Sequence, residues 1–159
     1  MSSDASERIL DGRSWDEFCD TLKRAGEVVL RDGSPQDAFD RAEGFRYLSR
    51  LTRVALESYI EFADPGAPAF RRPSHETVKI GADNPDNYYE NCVIDGRFDY
   101  RITGKRGTVP WFSIGTKASS GEGAGMVSTG ELDGTQIDFA DDGTFEIIIS
   151  KNEQSGNWL

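Results

Sequence analysis

The stretch Pro73-Ser-His-Glu-Thr-Val-Lys-Ile-Gly-Ala-Asp-Asn-Pro-Asp-Asn87 gathers the chain's single histidine, three carboxylates and two asparagines within 15 residues. Histidine is the side chain whose ordinary titration lies nearest neutral pH, so His75 is the candidate general acid or base, with Asp83 or Asp86 to orient it. The competing reading is structural: in Asp83-Asn-Pro-Asp-Asn87 the Asx side chains bond nearby amides and Pro85 fixes one dihedral, which is turn chemistry. Asp83, Asn84, Asp86 and Asn87 also offer oxygen donors suited to calcium or magnesium, but the spacing lacks the EF-hand glycine and its terminal glutamate. Zinc or iron needs more nitrogen or sulfur than one histidine and two cysteines 73 positions apart provide. No metal and no cofactor is therefore expected.

This segment leads into Tyr88-Tyr-Glu-Asn-Cys-Val-Ile94, Asp95-Gly96 and Arg97-Phe-Asp-Tyr-Arg-Ile-Thr103, the pattern of a hairpin with a two-residue Asp-Gly loop. A two-residue loop fixes the register. Tyr89, Asn91, Val93, Phe98, Tyr100 and Ile102 then share a core face, with Asn91 opposite Tyr100, and Glu90 meets Arg101 on the other face. A buried amide and phenol require partners, so Asn91 and Tyr100 either satisfy each other or line a cavity for a small ligand. The candidate ligand site is accordingly Asp83, Asn84, Tyr89, Asn91, Tyr100 and Arg101, beside His75. Arg97, Arg101, Lys105 and Arg106 form the one basic cluster of an acidic half, suited to a carboxylate or phosphate, although alternation reads as a solvated edge. Gly121-Glu-Gly-Ala-Gly125 has strand patterns on both sides and reads as a flexible connection rather than a phosphate loop. Neither a nucleophile elbow nor a Walker motif occurs.

The elements that must carry these residues divide into a helical front and a stranded back. Residues 1–13 read as a flexible tail, and residues 14–63 as a helical region. Ser14 and Glu17 have capping-box spacing, and Trp15, Phe18, Cys19, Leu22, Ala25 and Val29 form one apolar stripe. A second helix starts at Ser34-Pro35 and runs to about residue 63, with Gly44 as a point of breakage or bending. Residues 64–76 read as a loop and 77–159 as an antiparallel β-domain, with strands over 108–117, 126–131, 135–140 and 144–150 separated by Gly-containing turns. The expected class is α+β, with N-terminal helices packed on an antiparallel β-sandwich or jelly-roll-like sheet.

With 18 basic and 28 acidic residues among 159, the net charge is −10, which opposes binding to nucleic acid. No apolar run reaches about 18 residues, and the polar start lacks a signal-peptide pattern, so a soluble cytoplasmic protein without membrane contact is expected.

The run GADNPDNYYENCVIDGRFDYRITGKRG, followed by TGEL, DGTFEIIIS and GNWL, resembles the bacterial family catalogued as domain of unknown function 1214, often met with the related domain 1254. SWDEFCDTLKRAG and DRAEGFRYLSRL resemble the helical region of its longer members. The resemblance implies a β-rich sandwich with added helices, and no reaction. Longer members continue beyond the equivalent of Gly156-Asn-Trp-Leu159, so the expected β-domain is incomplete, with an open C-terminal sheet edge that invites a homo-oligomer or a partner chain. Two functions follow as expectations. One is binding of, or action on, a small partly apolar molecule in a pocket of the 75–103 region; the other is a non-catalytic interaction module.

Overall fold

A computed structural model describes residues 3–121 and 125–159, divided into two compact units, Met1–Val93 and Ile94–Leu159. The class is α+β, with three helices followed by antiparallel strands.

The expected N-terminal tail carries a helix, α1 (Ser3–Leu10), with Asp4 in its first turn and Arg8 in its last, the signs that suit the helix dipole. Gly12 adopts φ 83°, open to glycine at little cost, and precedes α2 (Arg13–Leu30). Ser14 thus lies inside the helix and the expected capping box does not form. Asp11 serves instead, accepting from the Arg13 amide at 3.0 Å and from its Nε at 2.6 Å, while Glu17 pairs with Arg8. The next helix begins later than Ser34-Pro35, at α3 (Ala38–Leu56), because the Asp37 carboxylate accepts from the amides of Phe39 and Asp40, both at 3.0 Å. Beyond Leu56 the helix widens into a π turn over Glu57–Glu61, closed by the Phe62 amide on the Glu57 carbonyl at 2.9 Å.

Helices α2 and α3 meet through glycines. A Cβ at Gly44 would lie 2.6 Å from Val29 Cγ1, so Gly44 permits a close approach rather than breaking the helix. Of the expected stripe, Phe18, Cys19, Leu22, Ala25 and Val29 are half-buried, whereas Trp15 is 67% exposed. From residue 64 to Val93 the chain forms turns and two isolated bridges, Arg71 with Asn91 and His75 with Val78, and Val78 is buried to 1% exposure.

The second unit holds β1 (Tyr100–Lys105), β2 (Ser113–Ser119), β3 (Met126–Asp133) and β4 (Thr144–Ile149). They form two antiparallel ribbons, β1 with β4 and β2 with β3. The expected 88–103 hairpin is not formed. Asp95-Gly96 does turn, with Phe98 donating to the Asp95 carbonyl at 3.0 Å, but the amide and carbonyl of Asn91 are both taken by Arg71. Tyr100 pairs with Ile149 and Ile102 with Ile147, since the apolar run of β4 is the better cross-strand partner for the alternating β1. Gly104 faces Phe145, whose ring would stand 2.7 Å from an added Cβ. Phe112, Phe139 and Phe145 stack with centroids 5.6–6.1 Å apart. Residues 135–140 form no strand, although Ile137 is buried there. The 121–125 connection joins β2 to β3, and its residues 122–124 lie outside the described ones.

The last three residues pair with β4. Trp158 bridges Ile148 in parallel, with Leu159 donating to the Ile148 carbonyl at 2.9 Å and Ile148 to the Asn157 carbonyl at 2.9 Å. The β4 edge away from β1 is therefore covered by residues 157–159. Asn157 fixes that segment by accepting from the Asp138 amide at 2.7 Å and donating to the carbonyls of Asp138 at 3.0 Å and Glu146 at 2.9 Å.

Candidate functional site

Two glutamate-bearing turns and a basic dipeptide surround His75 in the first unit. The Ser74 hydroxyl donates to the Val78 carbonyl at 3.3 Å, and the His75 amide and carbonyl both pair with Val78, at 2.8 and 3.1 Å. This tight turn sets the imidazole at the wall of a hollow of about 320 Å³ lined also by Val54, Phe70, Arg71, Arg72 and Tyr88. The π turn supplies Glu57 and Ser58 to the same wall, and Glu90 completes it. π turns within helices are frequent at functional sites.

The histidine ring is oriented locally. The Thr77 amide donates to its Nδ1 at 3.4 Å and the Thr77 hydroxyl lies 3.3 Å from the same atom. A backbone N–H can only donate, so in the neutral ring the proton sits on Nε2. Among the described residues no carboxylate forms a hydrogen bond with the ring. The nearest is Glu76, with Oε2 at 3.9 Å from Nδ1, and Glu76 is 79% exposed. Asp83 belongs to Lys79 at 3.3 Å, and the Ser74 hydroxyl, then Lys79, hold its carboxyl below the usual range. The expected Asp83 to His75 relay is thus absent among the described contacts.

The other sequence-predicted residues are dispersed. Asn84 accepts from the Asp86 amide at 3.0 Å, the Asx turn of the structural reading. Tyr89 accepts at its hydroxyl from Asn87 at 3.2 Å. Asn91 contributes backbone bonds that hold Arg71. Tyr100 and Arg101 belong to the second unit. There the Tyr100 hydroxyl accepts from the Asp95 amide at 2.8 Å, and Arg101 lies 3.8 Å from Glu146. Asn91 and Tyr100 are therefore not a cross-strand pair. The basic cluster is likewise committed: Arg97 grips Asp95 at 2.9 Å, Lys105 lies 3.8 Å from Asp142, and Arg106 donates to the carbonyls of Val109 and Pro110. Arg97 draws the Asp95 carboxyl below its ordinary range.

Cys19 and Cys92 are free and half-buried, and burial pushes the Cys92 thiol up, away from reactivity. Among the described residues no group of three or more His, Cys, Asp or Glu side chains is placed to hold a metal ion. A larger hollow of about 750 Å³ opens in the second unit beside Lys105, Asp138, Phe145 and Glu146, but the Asn157 amide within it is spent on the backbone.

Sequence reading missed Arg71 and Arg72. Adjacent arginines after Phe70 were visible, but the rings they meet, Phe62 and Tyr88, are separated by 26 positions and come to them only through the fold.

No protein-family model matches the chain and no curated protein matches it. The crystal structure of an uncharacterised protein from Burkholderia cenocepacia is similar, at 54% identity and a TM-score of 0.86 over 96% of this chain. The chain spans 42% of the length of that protein. No helix among the described residues is long and apolar enough to cross a membrane.

Proposed function

We propose that this chain is a non-catalytic interaction module whose apolar surface pairs with another polypeptide. The carrying observation is the apolar surface that the described residues leave exposed. Tyr59, Ile60, Trp111 and Met126 are more than half exposed. Two-stranded ribbons are marginal alone, and the outer edges of β1, β2 and β3 have no ladder partner among the described residues. That more than half of the similar protein lies outside the match agrees with a further polypeptide as the cover. Membership of the domain 1214 family and a cytoplasmic setting, where Cys19 and Cys92 stay reduced, belong to the same proposal.

Light scattering on the purified chain tests it, together with binding of an apolar fluorescent dye. The expected result is a mass above 17.6 kDa, or a monomer that binds dye and loses that binding when the remainder of the similar protein is added as a separate polypeptide. A monomer that unfolds cooperatively and binds no dye refutes the proposal.

A further inference from the structure

We propose that the hollow at His75 is a binding site for a small carboxylate carrying a single apolar ring. The argument is independent of the interaction-module reading, because it rests on the donors inside one unit.

Arg71 leaves a backbone fixed by two 2.8 Å bonds to Asn91, and its guanidinium carbon stands 3.5 Å from the centroid of the Phe62 ring. No side chain among the described residues accepts from it. Arg72 stacks on Tyr88 at 4.2 Å and reaches a single carboxylate, the exposed Glu76, at 3.4 Å, while its Nε is enclosed and without an acceptor. A guanidinium stacked on a ring keeps its N–H edge available, and that edge matches the two oxygens of a carboxylate. His75 lines the same hollow. Against these stand three acids, of which Glu76 is the one on Arg72. Glu57 is occupied by Arg53 at 2.9 Å, and Glu90 lies within 4 Å of no cation among the described residues. Donors for an anion therefore outnumber free acceptors. Val54, Phe70 and the Tyr88 ring provide the apolar wall. The hollow, of about 320 Å³ and open to solvent, has room for one ring with a short arm.

The test is isothermal titration of the full chain with 3-phenylpropionate, with 3-phenylpropylamine and inorganic phosphate as comparison probes. Binding of the carboxylate at one site with a dissociation constant of about 1 mM or tighter is expected, with neither comparison probe reaching a tenth of that affinity. Arg71→Gln and Arg72→Gln should each weaken binding about tenfold, and Arg72→Lys should weaken it too, because charge without the fork is insufficient. Should a variant fail to fold, the arginine Nε–H signals of the unmodified chain give the answer, since those of Arg71 and Arg72 must shift on titration. The proposal is overturned if the carboxylate gives no heat up to about 10 mM, if the amine or phosphate binds equally well, or if those arginine signals stay still.

Discussion

Replacing Gly44 by alanine should destabilise the first unit although alanine is the better helix former. In an exposed helix the exchange gains about 1 kcal/mol. In α3 the new methyl would stand 2.6 Å from Val29 Cγ1, 3.6 Å from Cγ2 and 3.7 Å from Cβ. Carbon atoms prefer about 3.5–4.0 Å, so one contact must open by roughly 1 Å. Valine in a helix holds a single χ1 rotamer about 90% of the time and cannot swing aside, so the helices must part, at an overpacking cost of about 1–3 kcal/mol. The net loss is then about 1 kcal/mol. In a Val29→Ala background the obstructing methyls are gone and the same exchange should stabilise by up to about 1 kcal/mol. The sign reverses, and the double-mutant cycle yields a coupling of roughly 1–3 kcal/mol. Urea denaturation followed by circular dichroism at the helical band measures all four proteins, because α1, α2 and α3 lie in the first unit. A stabilising Gly44→Ala in the unmodified background, or an equal effect in both, would refute the reasoning.

Three further outcomes are expected. Asp37→Ala removes the acceptor of two amides at the start of α3 and should cost about 1 kcal/mol, read from the same urea curves; Asp37→Ser should restore most of it. Asn157→Ala loses three hydrogen bonds worth about 1 kcal/mol each, so amide exchange at Leu159 and Ile148 should quicken markedly while that at Phe62 does not change. Asp95, Asp133 and Asp142 are held below the ordinary carboxylate range, Asp95 by Arg97, Asp133 by the Thr135 amide and then the Trp111 indole, Asp142 by the Thr144 hydroxyl and amide. Their lowered folded values make a stability that is complete above about pH 4 and is lost as pH falls through those values, so the melting temperature should hold from about pH 5 to 7 and drop below 4; a rise below 4 would contradict it.

What the sequence made legible is what local forces decide. Helix α2 was readable because Phe18, Cys19, Leu22, Ala25 and Val29 recur at helical spacing, and their half-burial follows from that spacing alone. The start of α3 was misplaced because Ser34-Pro35 and Asp37 are both competent signals, and only the geometry of two amides on one carboxylate distinguishes them. The strand pairing was not legible for a stronger reason. Asp95-Gly96 is a sound local turn, yet β1 is separated from its partner β4 by 38 residues, and the choice between Tyr88–Ile94 and Thr144–Ile149 lies in cross-strand packing that no short window contains. At the site, His75 was found by its chemistry. The arginines were not, because their significance depends on rings distant in sequence.

The strands themselves argue for how this surface is meant to be used. Strand β4 is flanked on both sides, by β1 and by residues 157–159, and it is here that Ile147 is fully buried and three isoleucines follow one another. Strands β2 and β3 each have one flank, and Met126 and Val127, on opposite faces at the start of β3, both stand at least half exposed. Consecutive apolar residues in a strand call for cover on both faces; Ile147 to Ile149 are buried or half-buried, whereas Met126 and Val127 are exposed. Met126 and Val127 are therefore the part of β3 that the proposed pairing would bury, whereas the terminal Trp158-Leu159, equally apolar in sequence, is bonded to β4.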